Sequence, residues 1–140
     1  MLAACKIFNF IQTMNKPLIL CIEDNIESAK FIELVLEKKL AGHDFQHIME
    51  AGQGLEFARR ENPALIIVDW TLPGMDGLEV VDQVKTDDEL KHIPVILLVG
   101  NVDSIKRTNS KFRPDAFVQK PISVTDFLED VRRLLDIEGK

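Results

Sequence analysis

The chain has 140 residues, 46% of them hydrophobic and 29% charged, which is room for one ordinary globular domain and too apolar for a disordered segment. Lys and Arg number 17 against 23 Asp and Glu, a formal net charge of −6, and this acidic balance argues against direct nucleic-acid binding. No apolar run approaches the roughly 18–20 residues of a membrane-spanning helix, and Cys5 and Cys21 lack metal-ligand spacing and read as free thiols of a reducing, cytoplasmic compartment.

Residues 1–15 are apolar, but Lys6 lies inside the run instead of a basic stretch before it. They are therefore expected to form an N-terminal extension, either an extra helical turn or an early start ahead of Met14, and not a secretory leader or membrane anchor. The domain itself is expected over residues 16–138. Leu18 to Ile22 (LILCI) is a continuous apolar run, as in a strand buried on both faces. Ile26, Ala29, Ile32, Val35, Leu36 and Leu40 then recur at helical spacing. Asn25 is the expected N-cap of that helix and Gly42 its expected stop. A weaker second strand is expected over Phe45–Ala51, broken by Gly52 and Gly54, before a short helix over Leu55–Glu61.

Leu65 to Val68 (LIIV) is a third strand, ending at Asp69. A Gly- and Pro-containing loop leads to a helix expected from about Leu78 to Leu90. Val95 to Val99 is the fourth strand, a more polar helix is expected over Val102–Lys111, and Ala116 to Gln119 is the fifth strand. Val124, Phe127, Leu128, Val131, Leu134 and Leu135 mark a final amphipathic helix. Five strands alternating with five helices imply an α/β fold with a doubly wound parallel sheet. In such sheets the functional crevice lies beyond the carboxyl ends of the strands.

Those ends carry Glu23 and Asp24 after the first strand, Asp69 after the third, Val99-Gly100-Asn101 after the fourth and Lys120 after the fifth. Neighbouring first and third strands would bring three carboxylates together. Such a cluster needs a cation or raised pKa values. An oxygen-only ligand set suits a hard ion such as Mg²⁺, and Lys120 offers a fixed positive charge for a phosphoryl oxygen. A carboxylate nucleophile beside a divalent ion and a lysine suits phosphoryl transfer.

The ordered set LILCIEDN, AGQGLEFA, PALIIVDWTLPGMDG, HIPVILLVGN and DAFVQKPI resembles the response-regulator receiver domain of two-component signalling, over roughly Pro17 to Leu135. The resemblance implies a flavodoxin-like sheet of order 2-1-3-4-5 and a stand-alone, chemotaxis-regulator-like phosphoacceptor rather than an enzyme. It implies that Asp69 takes a phosphoryl group from a sensor histidine kinase or phosphotransfer protein. It further implies that Glu23, Asp24, Asp69 and the backbone carbonyl of Thr71 hold Mg²⁺, and that Lys120 contacts the phosphoryl group. Phe117 falls at the aromatic switch position, where plain core packing is the competing expectation. The Lys120-Pro121 bond is one that is commonly cis in the family. Signalling would pass by protein contact to a downstream target through the fourth helix, fifth strand and fifth helix, roughly Val102 to Leu135, a face that could also form a homodimer.

One position departs from the family pattern. Val99 stands where a Ser or Thr hydroxyl usually bonds the phosphoryl group, and no hydroxyl residue occurs from Pro94 to Asp103. A hydrogen bond to a charged group contributes about 1.5–3 kcal/mol, so its loss should weaken coupling more than metal binding. This motivates the alternative of a phosphorylation-independent receiver-like interaction module. A Mg²⁺-dependent phosphatase is a distant third, because Thr71 occupies the place of that family's second acid. The Gly52-Gln53-Gly54 stretch lacks the third glycine and the position of a dinucleotide fingerprint. His43, His47 and His92 are scattered and have no assigned role.

Overall fold

A computed structural model describes residues 16–100 and 113–136. The strands are β1 (Leu18–Ile22), β2 (Asp44–Ile48), β3 (Leu65–Asp69), β4 (Val95–Val99) and β5 (Ala116–Gln119). They form one sheet in the order β2-β1-β3-β4-β5, with every neighbouring pair parallel. Among the described residues the helices are α1 (Ile26–Lys39), α2 (Ala51–Glu61), α3 (Gly77–Thr86) and α4 (Val124–Leu134). The helix expected over Val102–Lys111 and the N-terminal extension lie outside the described residues. No helix among the described residues is long and apolar enough to cross a membrane.

The continuous apolar strands are explained by two cores, one on each sheet face. Leu20, Ile22, Ile66, Val68, Leu97 and Val99 pack with Leu55, Ala58, Val81 and Val84 of α2 and α3. The alternate residues Ile19, Cys21, Leu65, Ile67, Ile96 and Leu98 pack with Ile32 and Leu36 of α1 and Phe127 and Val131 of α4. Successive strand side chains point to opposite faces, so strands covered on both sides need apolar residues at every position. Every residue of β3 and β4 is buried.

The ends of the elements follow local chemistry. Asn25 accepts the Ser28 N–H at 2.9 Å and caps α1, while Gly42, at φ 75°, makes the turn after that helix has already ended at Lys39. Asp76 caps α3 by accepting the Glu79 N–H at 2.9 Å.

Three boundaries differ from the sequence expectation. β2 runs over Asp44–Ile48 and α2 begins at Ala51, so Gly52 and Gly54 lie within the helix. Gly54 is there because α2 packs closely on β1: a Cβ at this site would lie 2.5 Å from Ile22 Cδ1 and 2.8 Å from its Cγ1. α3 stops at Thr86, because Asp87 is extended and its carboxylate accepts the Glu89 N–H at 2.8 Å, starting a separate turn. Leu90 still reaches the core, from that turn and not from the helix.

Alanine is the better helix former at position 54 by about 1 kcal/mol, but overpacking of this kind costs about 1–3 kcal/mol. Gly54→Ala is therefore expected to lower the urea midpoint. Ile22→Val removes the nearest clashing methyl, so the double variant should lose less stability than the sum of the two single changes. Strict additivity would contradict this packing.

Candidate functional site

β1 and β3 are neighbours, with Ile22 opposite Val68. The residues that follow these partners are therefore carried to the same edge of the sheet. One carboxylate oxygen from each of Glu23, Asp24 and Asp69 lies within 4.8 Å of the others. Glu23 and Asp69 are buried and Asp24 is exposed.

Glu23 is held by its own backbone and by the start of α1. Its N–H donates to Ile48 O at 3.0 Å, and its Oε1 accepts the Asn25 N–H at 3.0 Å. Its Oε2 is buried without a hydrogen-bond partner and lies 3.5 Å from Lys120 Nζ. Lys120 extends the β4–β5 ladder by donating its N–H to Val99 O at 2.8 Å. Its ammonium donates to Asp69 Oδ2 at 2.8 Å. The Lys120-Pro121 peptide is cis.

The loop after Asp69 closes tightly over its own strand end. Thr71 donates its N–H toward Asp69 Oδ1 at 3.3 Å, and Gly77 donates to Trp70 O at 2.7 Å. A Cβ on Gly77 would strike the Asp69 carbonyl oxygen and lie 2.7 Å from Trp70 Cα. Gly74 turns the loop at φ 82°. The glycines of PGMDG thus serve the backbone path that presents Asp69. Trp70 itself is half-buried beside the cluster.

The electrostatics follow from this crowding. Burial pushes the Glu23 carboxyl up to about 7, the Asn25 N–H opposes it in part, and the charge of Asp69 adds to the rise. Burial pulls the Lys120 ammonium down, but the hydrogen bond and charge of Asp69, with Glu23 behind them, leave it above the usual lysine value. Cys21, inside β1, has its thiol pushed up by burial and then by the charges of Glu23 and Asp69. That keeps it a protonated, unreactive core residue. The orphaned Glu23 Oε2 and the all-oxygen donor set suit a hard divalent cation.

The structure thus brings Glu23, Asp24, Asp69 and Lys120 together, with Thr71 adjoining Asp69. Val99 ends β4 fully buried, with its carbonyl on the Lys120 N–H. Phe117 is 37% exposed on an edge strand whose residues alternate between buried and exposed, so the core-packing expectation for it does not hold. One residue that the sequence reading left without a role adjoins the site. His47 Nε2 lies 2.6 Å from the backbone oxygen of Glu23.

Comparison with known proteins places this architecture among relatives. A family model described as the response regulator receiver domain matches residues 19–132. The chain is 33% identical over 120 residues to the polar-differentiation response regulator DivK of Brucella anthropi, covering 84% of this chain and 94% of that protein. Among solved structures, it superposes with a TM-score of 0.76 on the signal receiver domain of a histidine kinase from Syntrophus aciditrophicus, at 30% identity, covering 86% of this chain and 90% of that one. A sensor protein from a Polaromonas species gives a TM-score of 0.78 at 27% identity, with 86% and 96% covered.

The buried glutamate makes stability depend on pH in a defined sense. Its carboxyl is raised from 4.5 to about 7 in the fold, so between those values the folded chain keeps a proton that the unfolded chain releases. The corresponding stability is complete below about pH 4.5 and is lost as pH rises through about 7. Without divalent ions, the urea midpoint of the wild-type protein is expected to fall across this window more steeply than that of Glu23→Gln. Parallel curves would contradict the assignment.

Proposed function

The chain belongs to the response regulator receiver domain family, and from that premise we propose that it is a phosphoacceptor that takes a phosphoryl group on Asp69. The observation that carries this reading is the 2.8 Å contact of Lys120 Nζ with Asp69 Oδ2, beside the buried Oε2 of Glu23, which has no hydrogen-bond partner and lies 3.5 Å from the same ammonium. An aspartate placed only to stabilise a sheet end would not need a buried second acid aimed at the same lysine.

Asp69 supplies the nucleophile. A carboxylate oxygen attacks the phosphorus of a phosphohistidine on a sensor histidine kinase or phosphotransfer protein. The P–N bond breaks, its electron pair returns to the donor imidazole, and an acyl phosphate remains on Asp69. The Thr71 N–H on Oδ1 and the Lys120 ammonium on Oδ2 hold the two carboxylate oxygens in place before reaction. Lys120 then moves its charge onto a phosphoryl oxygen. Glu23, Asp24, Asp69 and the backbone carbonyl of Thr71 would hold Mg²⁺, which would supply positive charge to neutralise the phosphoryl oxygens. The chain assists only its own phosphorylation and dephosphorylation. Its signal passes by protein–protein contact, through a face that includes β5 and α4, to a downstream target or a second copy.

Val99 favours a second reading. With an apolar side chain, fully buried, at the place of the usual hydroxyl, the chain would serve as an interaction module whose contacts do not depend on phosphorylation.

Acetyl phosphate with Mg²⁺ is expected to add the mass of one phosphoryl group, with the adduct lost in Asp69→Asn and in excess chelator. If Mg²⁺ quenches Trp70 fluorescence but no adduct forms, even with a phosphorylated donor domain, the phosphoacceptor reading fails and the interaction module stands. Val99→Thr buries a hydroxyl and should destabilise the unphosphorylated protein by about 1–3 kcal/mol. On phosphorylation the new hydroxyl gains its partner, so the variant should show larger amide shifts in β5 than the wild type does. Equal shifts would contradict this account of position 99.

A further inference from the structure

We propose that His47 is a positioning residue for the acidic site, fixing the Glu23–Asp24 backbone from the flank of the sheet. The β1–β2 ladder ends at the pair Ile22 and Ile48, with the Glu23 N–H still bound to Ile48 O at 3.0 Å. Beyond that point the Glu23 carbonyl has passed the last ladder pair. His47 lies opposite Cys21 on the neighbouring strand, and its Nε2 reaches that carbonyl at 2.6 Å. A carbonyl oxygen only accepts, so Nε2 carries the hydrogen and donates it.

The consequence is a clamp on one residue, Glu23, from two sides. On the inner side, the Glu23 carboxylate turns toward Asp69 and Lys120. On the outer side, β2 grips the same residue through the Ile48 carbonyl and the His47 ring. Asp24 follows directly, exposed and without a ladder bond of its own. Rotation of the Glu23–Asp24 peptide would move both acids together, and the His47 bond opposes that rotation. Groups that orient ligands in this way change metal affinity without touching the metal. The half-buried ring on a regular strand gives the donor a fixed origin, which a loop side chain would lack.

The proposal rests on the reading of Glu23 and Asp24 as cation ligands, and its test uses the cation alone. Mg²⁺ is titrated against Trp70 fluorescence in wild type, His47→Leu, His47→Asn and His47→Gln, with the thermal midpoint of each measured in EDTA. The Gln amide nitrogen reaches about as far as Nε2, whereas the Asn nitrogen reaches only as far as Nδ1. The expected result is a loss of about tenfold in Mg²⁺ affinity for Leu and Asn, and wild-type affinity within about twofold for Gln. Thermal midpoints in EDTA should not follow that order. Equal affinities in all four proteins would overturn the proposal, as would losses that follow the thermal midpoints and are not restored by Gln, or a wild-type protein with no response to Mg²⁺. The predicted order in a protein that forms no phosphoadduct would support the role of His47 while overturning the phosphoacceptor reading.

Discussion

The structure turns on three carboxylates held together by the neighbouring ends of two strands, with one ammonium to balance them. Like charges at this spacing repel strongly in a buried setting. The arrangement persists because each acid meets a different compensation. Asp69 takes the Lys120 hydrogen bond, Glu23 takes the Asn25 N–H and a raised pKa, and Asp24 stays in solvent. The sheet order makes the meeting unavoidable, since β1 lies directly beside β3. Lys120 comes from two strands further along, and it starts from a residue whose N–H is fixed to the end of β4. Glu23 Oε2 is left buried with no hydrogen bond, and only the longer 3.5 Å contact with the already engaged Lys120 ammonium offsets its charge. That imbalance is the physical reason to expect a cation.

The surrounding scaffold is shaped by the need to present those groups. Gly77 is excluded from carrying a side chain by the backbone of Asp69 and Trp70, so the loop that displays the aspartate can close only with glycine there. Gly54 allows α2 to approach β1 just below the acid pair. Val99 sits at the opposite balance. Its side chain completes the core at the end of β4 and brings no polar group to the site. The link between Lys120 and β4 at this point is therefore the backbone bond to Val99 O and not a side-chain hydroxyl. Phe117 projects partly into solvent from the edge strand.

Much of this was legible in the sequence because the strands are covered on both faces. LILCI, LIIV and VILLV read as strands from their apolar continuity alone, and each is observed, with β3 extended by Asp69 itself. The acids and the lysine were legible as strand-end residues once the sheet was inferred. The start of α2 was not, because Gly52 and Gly54 read as breakers, and the tertiary contact with Ile22 that requires a glycine leaves no local trace. The spacing of Leu90 predicts a helix, while Asp87 diverts the chain into a new turn that buries the same leucine. His47 carries no sequence signal for a related reason: its partner is a backbone carbonyl at the end of another strand, and no spacing rule encodes that.

Glu23 holds its proton because it is buried beside Asp69, and a divalent cation bound at the same carboxylates would compete with that proton. A carbon-13 NMR titration of the Glu23 side-chain carboxyl, without metal and then with Mg²⁺, tests this directly. The expected result is a midpoint near 7 in the metal-free protein and a clear displacement to lower pH when Mg²⁺ is present. A midpoint near the ordinary glutamate value of 4.5, unchanged by Mg²⁺, would contradict it.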